Sequence, residues 1–198
     1  MIIRKFILGS IVFAAVAAPQ CHAAKLPKSA LIFGKVEIGR TTFRDIQKWY
    51  GGGKAVKQDP SEEAPVGVCF LINGQIKTRV VFESGSAGAW KRITGVRLTK
   101  ASPGDVCPVW RGDGFANGVL LGQDRRTVEA KLGIKAMHKS DSLHYVEESR
   151  RPATPAERAW LLKNFPSEAP QFDVTIAVDA NFKHEKLTEF YLTKTDTF

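Results

Sequence analysis

The chain has 198 residues, with 29 Lys and Arg against 20 Asp and Glu and a formal net charge of +9. No apolar stretch, the short run at the N-terminus included, is long enough to cross a bilayer as a helix, which needs about 20 residues. Three cysteines with no Cys-x-x-Cys exclude a thioredoxin-like redox role.

The chain opens with the features of a secretory leader. Arg4 and Lys5 supply a positive start, Phe6 to Ala18 is apolar, and Pro19 breaks the run before Cys21, His22 and Ala23. Cleavage is expected after Ala23, so residues 1–23 form the signal peptide and the mature product is periplasmic or secreted. Lipidation at Cys21 is the weaker alternative, because Gln20 stands where such signals want a small residue. Outside the cytoplasm nucleic acid is a poor partner.

Residues 24–198 suit one large domain or two small ones. The first helix is expected within 39–51: Thr42 caps it, Asp45 follows in capping-box spacing, Ile46 and Tyr50 share a face, and Gly51 ends it. The run from Gly51 to Lys54 lacks phosphate-loop spacing and reads as a helix stop. Cys69 follows, 38 residues before Cys107. In an oxidising compartment this pair predicts a disulfide clamping the connector onto a strand, worth about 4 kcal/mol in the chain-entropy model. Two free buried thiols are the alternative.

Strand-like runs follow at 78–84 and 92–100. Val80 and Phe82 point one way, and Arg79, Val81 and Glu83 the other. Val96 and Leu98 oppose Arg97 and Thr99 in the same manner. Beyond a connector holding Cys107 and Trp110, a second helix is expected within 122–133. Asp124 is its N-cap, Val128 and Leu132 share its face, and Gly133 ends it. A helical insertion near 154–165 starts at Thr154 and Pro155, with Leu161 and Phe165 as docking stripe and Trp160 as core or staple. The runs at 174–180 and 186–194 close the chain.

These elements form a repeat. Arg92 to Lys100 (RITGVRLTK) is echoed by Lys186 to Lys194 (KLTEFYLTK), each preceded by a strand and, further upstream, by a Gly-bounded helix. The expected fold is α+β: two tandem helix-plus-antiparallel-meander repeats, 24–101 and 102–198, forming a joined curved sheet with helices on one face. Both copies predict one packed face and one wet face. Charge is shared unevenly: 24–101 holds 14 Lys and Arg against 6 Asp and Glu, whereas 102–198 holds 13 against 14.

The second helical segment, Gly122 to Gly133 (GQDRRTVEAKLG), fits the form Gly-x-Thr/Asp-x-x-x-Val-x-x-x-Leu-Gly followed by an antiparallel meander. In this the chain resembles the small outer-membrane lipoproteins of the β-barrel assembly machinery and the tandem β-lactamase inhibitor proteins. The tandem layout looks more like the second. The resemblance implies a non-enzymatic protein-binding module that uses its concave sheet face. It brings no functional residue with it, and the insertion and the weak lipidation signal depart from it.

Chemistry-bearing patterns are sparse. The stretch Ser84 to Gly88 is not a nucleophile elbow. His138 and His144 match no common metal spacing, and His184 reads as a solvated turn residue. Glu147 and Glu148 beside Arg150 and Arg151 read as a charged strand end. Asp105 and Asp113 lack calcium-loop spacing. No catalytic residue, metal or cofactor is therefore expected.

The candidate binding surface is the sheet face opposite the helices, displaying Lys77, Arg79, Arg97 and Tyr191, with Trp110 at its rim or sealing the junction. Tyr, Trp and Arg often dominate interface energies, and basic side chains favour an acidic partner. The leading expectation is non-catalytic binding of an envelope or secreted protein, of acidic character because the first repeat is basic. An anionic lipid or polysaccharide bound by the basic first repeat is the alternative, and a hydrolase the third reading.

Overall fold

The structure, a computed structural model, describes residues 25–56, 67–84, 92–112, 118–134, 141–164 and 171–197. Residues 1–23, where a leader is expected, and His138, Asp113 and Phe165 lie outside the described residues. Among the described residues no helix is long and apolar enough to cross a membrane.

The fold is α+β. A 3-10 turn at Lys28–Leu31 leads into a small hairpin, β1 (Ile32–Phe33) and β2 (Val36–Glu37). Helix α1 (Phe43–Tyr50) follows, then β3 (Lys54–Val56), β4 (Gly67–Ile72), β5 (Thr78–Glu83) and β6 (Gly95–Lys100). Helix α2 (Arg125–Leu132) precedes β7 (Ser142–Pro152), α3 (Pro155–Asn164) lies between β7 and β8 (Gln171–Lys183), and β9 (Lys186–Thr197) ends the chain. Strands β3 to β9 form one antiparallel sheet in the order β3-β4-β5-β6-β9-β8-β7.

Helix boundaries follow local chemistry at α1 and α3 but not at α2. Thr42 caps α1 as a full capping box: its hydroxyl accepts from the Asp45 amide at 3.2 Å, and the Asp45 carboxylate accepts from the Thr42 amide at 2.9 Å. The same device starts α3, with Thr154 and Glu157 exchanging equivalent bonds. Asp124 behaves differently. It precedes α2, yet its side chain makes no cap bond and pairs with Lys186 at 2.7 Å. An ammonium within reach competes successfully for a carboxylate that would otherwise cap. Gly51 (φ 76°) and Gly133 (φ 67°) end α1 and α2 in backbone conformations that disfavour a Cβ.

The principal core lies between the sheet and α1, α2 and the N-terminal segment. Val80, Phe82, Val96, Leu98, Val178, Phe190 and Leu192 supply its sheet side, and Ile46, Val128 and Leu132 its helix side. Their alternation matches the faces expected from sequence. Helix α3 makes a separate small cluster through Leu161, Ala153 and Phe172. Trp160 departs from expectation: it is exposed rather than core, because Leu161 takes the docking position one residue on. The charges around α3 converge on Arg151, which holds Glu157 at 2.8 Å and Asp196 at 2.6 Å and lies over the Phe172 ring at 4.5 Å. This displaces the simple picture of a Glu-Arg strand end. Glu147 instead accepts from the Leu26 amide at 2.9 Å and the Tyr145 hydroxyl at 3.0 Å, and Arg150 pairs with Asp173.

The far side of the sheet is not wet throughout. The Cys69–Cys107 disulfide, with Cα atoms 5.6 Å apart, ties the connector across β4 and β5. Beneath it Cys69, Leu71, Val81 and Cys107 form a second buried cluster. The expectation of one open face in both halves therefore fails over the first half, where the connector covers it.

Candidate functional site: the uncovered sheet face

Alternation along the strands places defined rows of side chains on the face opposite the helices. One row runs Cys69, Val81, Arg97, Tyr191, Asp179, His144 from β4 to β7, each directly opposite the next across the ladder. The first two lie under the disulfide-clamped connector and the rest beyond it. Neighbouring rows supply Thr99, Thr193, Ala177, Thr175 and Val146. The uncovered part is thus a surface rich in threonine with Tyr191 near its centre.

Tyr191 is held by its neighbours. Arg97 stands directly opposite on β6, its guanidinium carbon 4.6 Å from the ring centroid, in cation–π contact. Arg97 also reaches Glu83, Nε to Oε1 at 3.4 Å. Gly95 lies one pleat along: a Cβ there would come within 3.5 Å of Tyr191 Cε2 and 3.3 Å of Thr193 Cγ2. The tyrosine ring thus lies over the strand glycine, where a bare Cβ would meet it at ordinary contact distance and a branched side chain would crowd it. Burial raises the Tyr191 phenol above its ordinary value, helped by the charge of Glu83 and a hydrogen bond to it and opposed by Arg97.

The five expected binding residues separate into three groups. Arg97 and Tyr191 come together on the uncovered face. Arg79 is partly covered, its Nε 3.7 Å from Asp105 of the connector. Lys77 is exposed just before β5, and its carbonyl accepts from the Ala101 amide where the connector begins. Trp110 is not at a rim. It is buried on the helix side, stacked on Tyr50 with centroids 3.9 Å apart and packed against Phe70 and Phe82. The connector reaches that side around β4, where the Leu71 amide donates to the Pro108 carbonyl and the Trp110 amide to the Leu71 carbonyl. Trp110 thus stands neither at a rim nor between the halves: it is a core side chain among Tyr50, Phe70 and Phe82 of the first.

The spacing of His144 matches no metal motif and gives no sign of its actual neighbour, Asp179, whose Oδ1 lies 2.6 Å from the His144 Nδ1 on the exposed face. The two residues are 35 apart in sequence, and only the β7–β8 register joins them. Glu83 and Gly95 were visible as strand residues but carried no signal until Tyr191 was placed across them. His184 is exposed in the β8–β9 turn, as its sequence context implies. Among the described residues no group of three or more His, Cys, Asp or Glu is arranged to hold a metal ion. Comparison of the chain with family models, with curated proteins and with solved structures finds no match.

Proposed function

We propose that the chain is a non-catalytic envelope protein that binds another protein through the uncovered sheet face, with Tyr191 and Arg97 as its central anchors. The observation that carries this reading is the Arg97–Tyr191–Glu83 cluster: a half-buried tyrosine, fixed by a cation on one side and seated over Gly95, in the middle of a threonine-rich surface. A rigid, partly desolvated aromatic loses little side-chain entropy on binding, which is why Tyr and Arg concentrate interface energy.

The reading treats the scaffold as a duplicated unit. Outward from the β6–β9 pair, β5 and β4 correspond to β8 and β7, with β3 left over at one edge, and Arg97 and Tyr191, matched positions of the sequence echo, lie directly opposite one another. A local twofold relation through that pair accounts for both facts. Recognition then falls at the seam between copies, where Arg in one meets Tyr in the other. The face is of mixed charge, because Arg79 and Arg97 already have acidic neighbours in Asp105 and Glu83. Preference for an acidic partner rests accordingly on the overall basic first half and governs encounter rate more than docking.

The test is affinity capture from the cell envelope with the mature chain, alongside an Arg97→Glu/Tyr191→Ala variant and a Lys48→Glu control on α1. The expected result is a partner retained by wild type and control and lost by the sheet-face variant, with all three proteins melting as folded domains. Retention by the folded sheet-face variant would remove this face from the function.

A further inference from the structure

The two edges of the sheet are unlike. At one, β3 is only three residues long and the connector continues beside β4 through the Leu71–Val109 bridge. At the other, β7 is an 11-residue strand with no strand beyond it among the described residues. Such an edge presents backbone donors and acceptors to any strand that can match it.

Which groups it presents follows from the ladder. The Phe182 amide donates to the Asp141 carbonyl at 2.7 Å, in the same register that pairs Ser142 with Asn181. Backbone groups alternate sides along an antiparallel strand. Odd-numbered residues of β7 therefore bond β8, while His144, Val146, Glu148 and Arg150 direct their amides and carbonyls outward. Helix α3 does not turn back over this edge: Glu157 reaches Arg92 at 3.8 Å, beside the start of β6, so α3 crosses the end of the sheet.

From this edge we infer that β7 pairs antiparallel with β7 of a second copy of the chain, about a twofold axis at Ser149, to make one continuous sheet. Charge sets the register. With Ser149 facing its counterpart, Glu148 stands opposite the second copy's Arg150, and Arg150 opposite the second copy's Glu148. Both are outward-bonding positions on the same face, so each pair exchanges backbone bonds while opposite charges meet. Val146 donates in the same register to the second copy's Pro152 carbonyl, and the proline, having no amide, forfeits only the return bond at the end of the ladder. Centring on Glu148 would set that glutamate against itself. Centring on Glu147 would put Val146 opposite Glu148 and His144 opposite Arg150, leaving no opposite-charge pair between Glu and Arg. Charged side chains and an edge proline ordinarily discourage pairing, but in this register the charges of β7 are complementary to their own copies. Arg150 remains able to serve two carboxylates: Asp173 takes its Nε at 2.9 Å, and the guanidinium has further donors on an exposed side chain.

Sedimentation of the full chain from about 1 μM to about 1 mM, a range covering weak to moderate association, tests the assignment. Wild type is expected to dimerise with rising concentration. Glu148→Arg and Arg150→Glu, each alone, place like charges opposite one another and should weaken the dimer by about tenfold or more. An equal mixture of the two variants should recover wild-type association, because the two arginines of one chain then face the two glutamates of the other. Ser149→Cys in a Cys21→Ala background should crosslink on oxidation, since directly opposed residues at a non-hydrogen-bonded position lie within disulfide reach, whereas Ser142→Cys should not. A wild type that stays monomeric throughout, a dimer insensitive to both reversals, or equal crosslinking at both positions would overturn the inference. None of these variants touches Arg97 or Tyr191, so failure here leaves the protein-binding reading standing.

Discussion

Arg151 and Glu157 show how much one residue can organise. The guanidinium takes two carboxylates and covers the Phe172 ring, joining β7, β9 and α3 at one point. Hydrogen bonding from Arg151 pulls the Glu157 carboxyl from an ordinary 4.5 down to about 2, against the burial that would raise it. A lowered carboxyl pKa means the folded state holds fewer protons than the unfolded one. Its stabilisation is thus complete above about pH 4.5 and is lost as pH falls towards 2. Replacing Glu157 with Gln is expected to cost about 2 kcal/mol at neutral pH, the scale of a charge-assisted hydrogen bond, and to flatten the acid limb of the stability curve. Thermal melts of both proteins across that pH window check it. At the neighbouring face, Gly95→Val should displace the Tyr191 ring and lower its phenol pKa, readable in an ultraviolet titration, because the burial that raises it would be reduced.

Elements that look alike in sequence are not equally built. Thr42 and Asp124 both stand where an N-cap belongs, but only Thr42 bonds the helix it precedes. Thr42→Ala should therefore destabilise the fold by about 1 kcal/mol, while Asp124→Ala should lower the melting temperature less and only weaken the contact with Lys186. Chemical denaturation of the two variants side by side distinguishes these roles. The Asp124 carboxyl lies below its ordinary value chiefly through its hydrogen bond with Lys186, which is consistent with that division of labour. Helix positions were readable from spacing because capping and i, i+4 contacts are local. The fate of the Asp124 side chain was not, since Lys186 arrives from 62 residues away.

At the scale of the molecule the connector determines which part of the sheet is available. It leaves β6 at one end, crosses β5 and β4 under the Cys69–Cys107 clamp, and passes the sheet edge to place Trp110 in the helix-side core. Breaking the clamp should act on both sides of the sheet. A Cys69→Ala/Cys107→Ala chain is expected to lose about 2–4 kcal/mol and to expose the face over Val81. Trp110 should become more accessible, seen as a red shift and stronger quenching of its fluorescence. Unchanged emission in a folded double variant would show that the aromatic packing on Tyr50, Phe70 and Phe82 holds the connector without the disulfide.

Sequence alone determined the two-sided character of the strands, the stops at Gly51 and Gly133, the pairing of the cysteines, and the α+β class. All of these rest on periods of two or four residues or on a count. It placed Arg97 and Tyr191 on one face because alternation within a strand is local. Only the tertiary structure decided that these two residues touch, that Arg79 is covered, that Trp110 is core, and that His144 meets Asp179. Each of those outcomes depends on strand order and register, where a shift of one residue would turn every side chain to the other face. The connector is the clearest case: its path is fixed by contacts on both sides of the sheet, which no local pattern in the chain encodes.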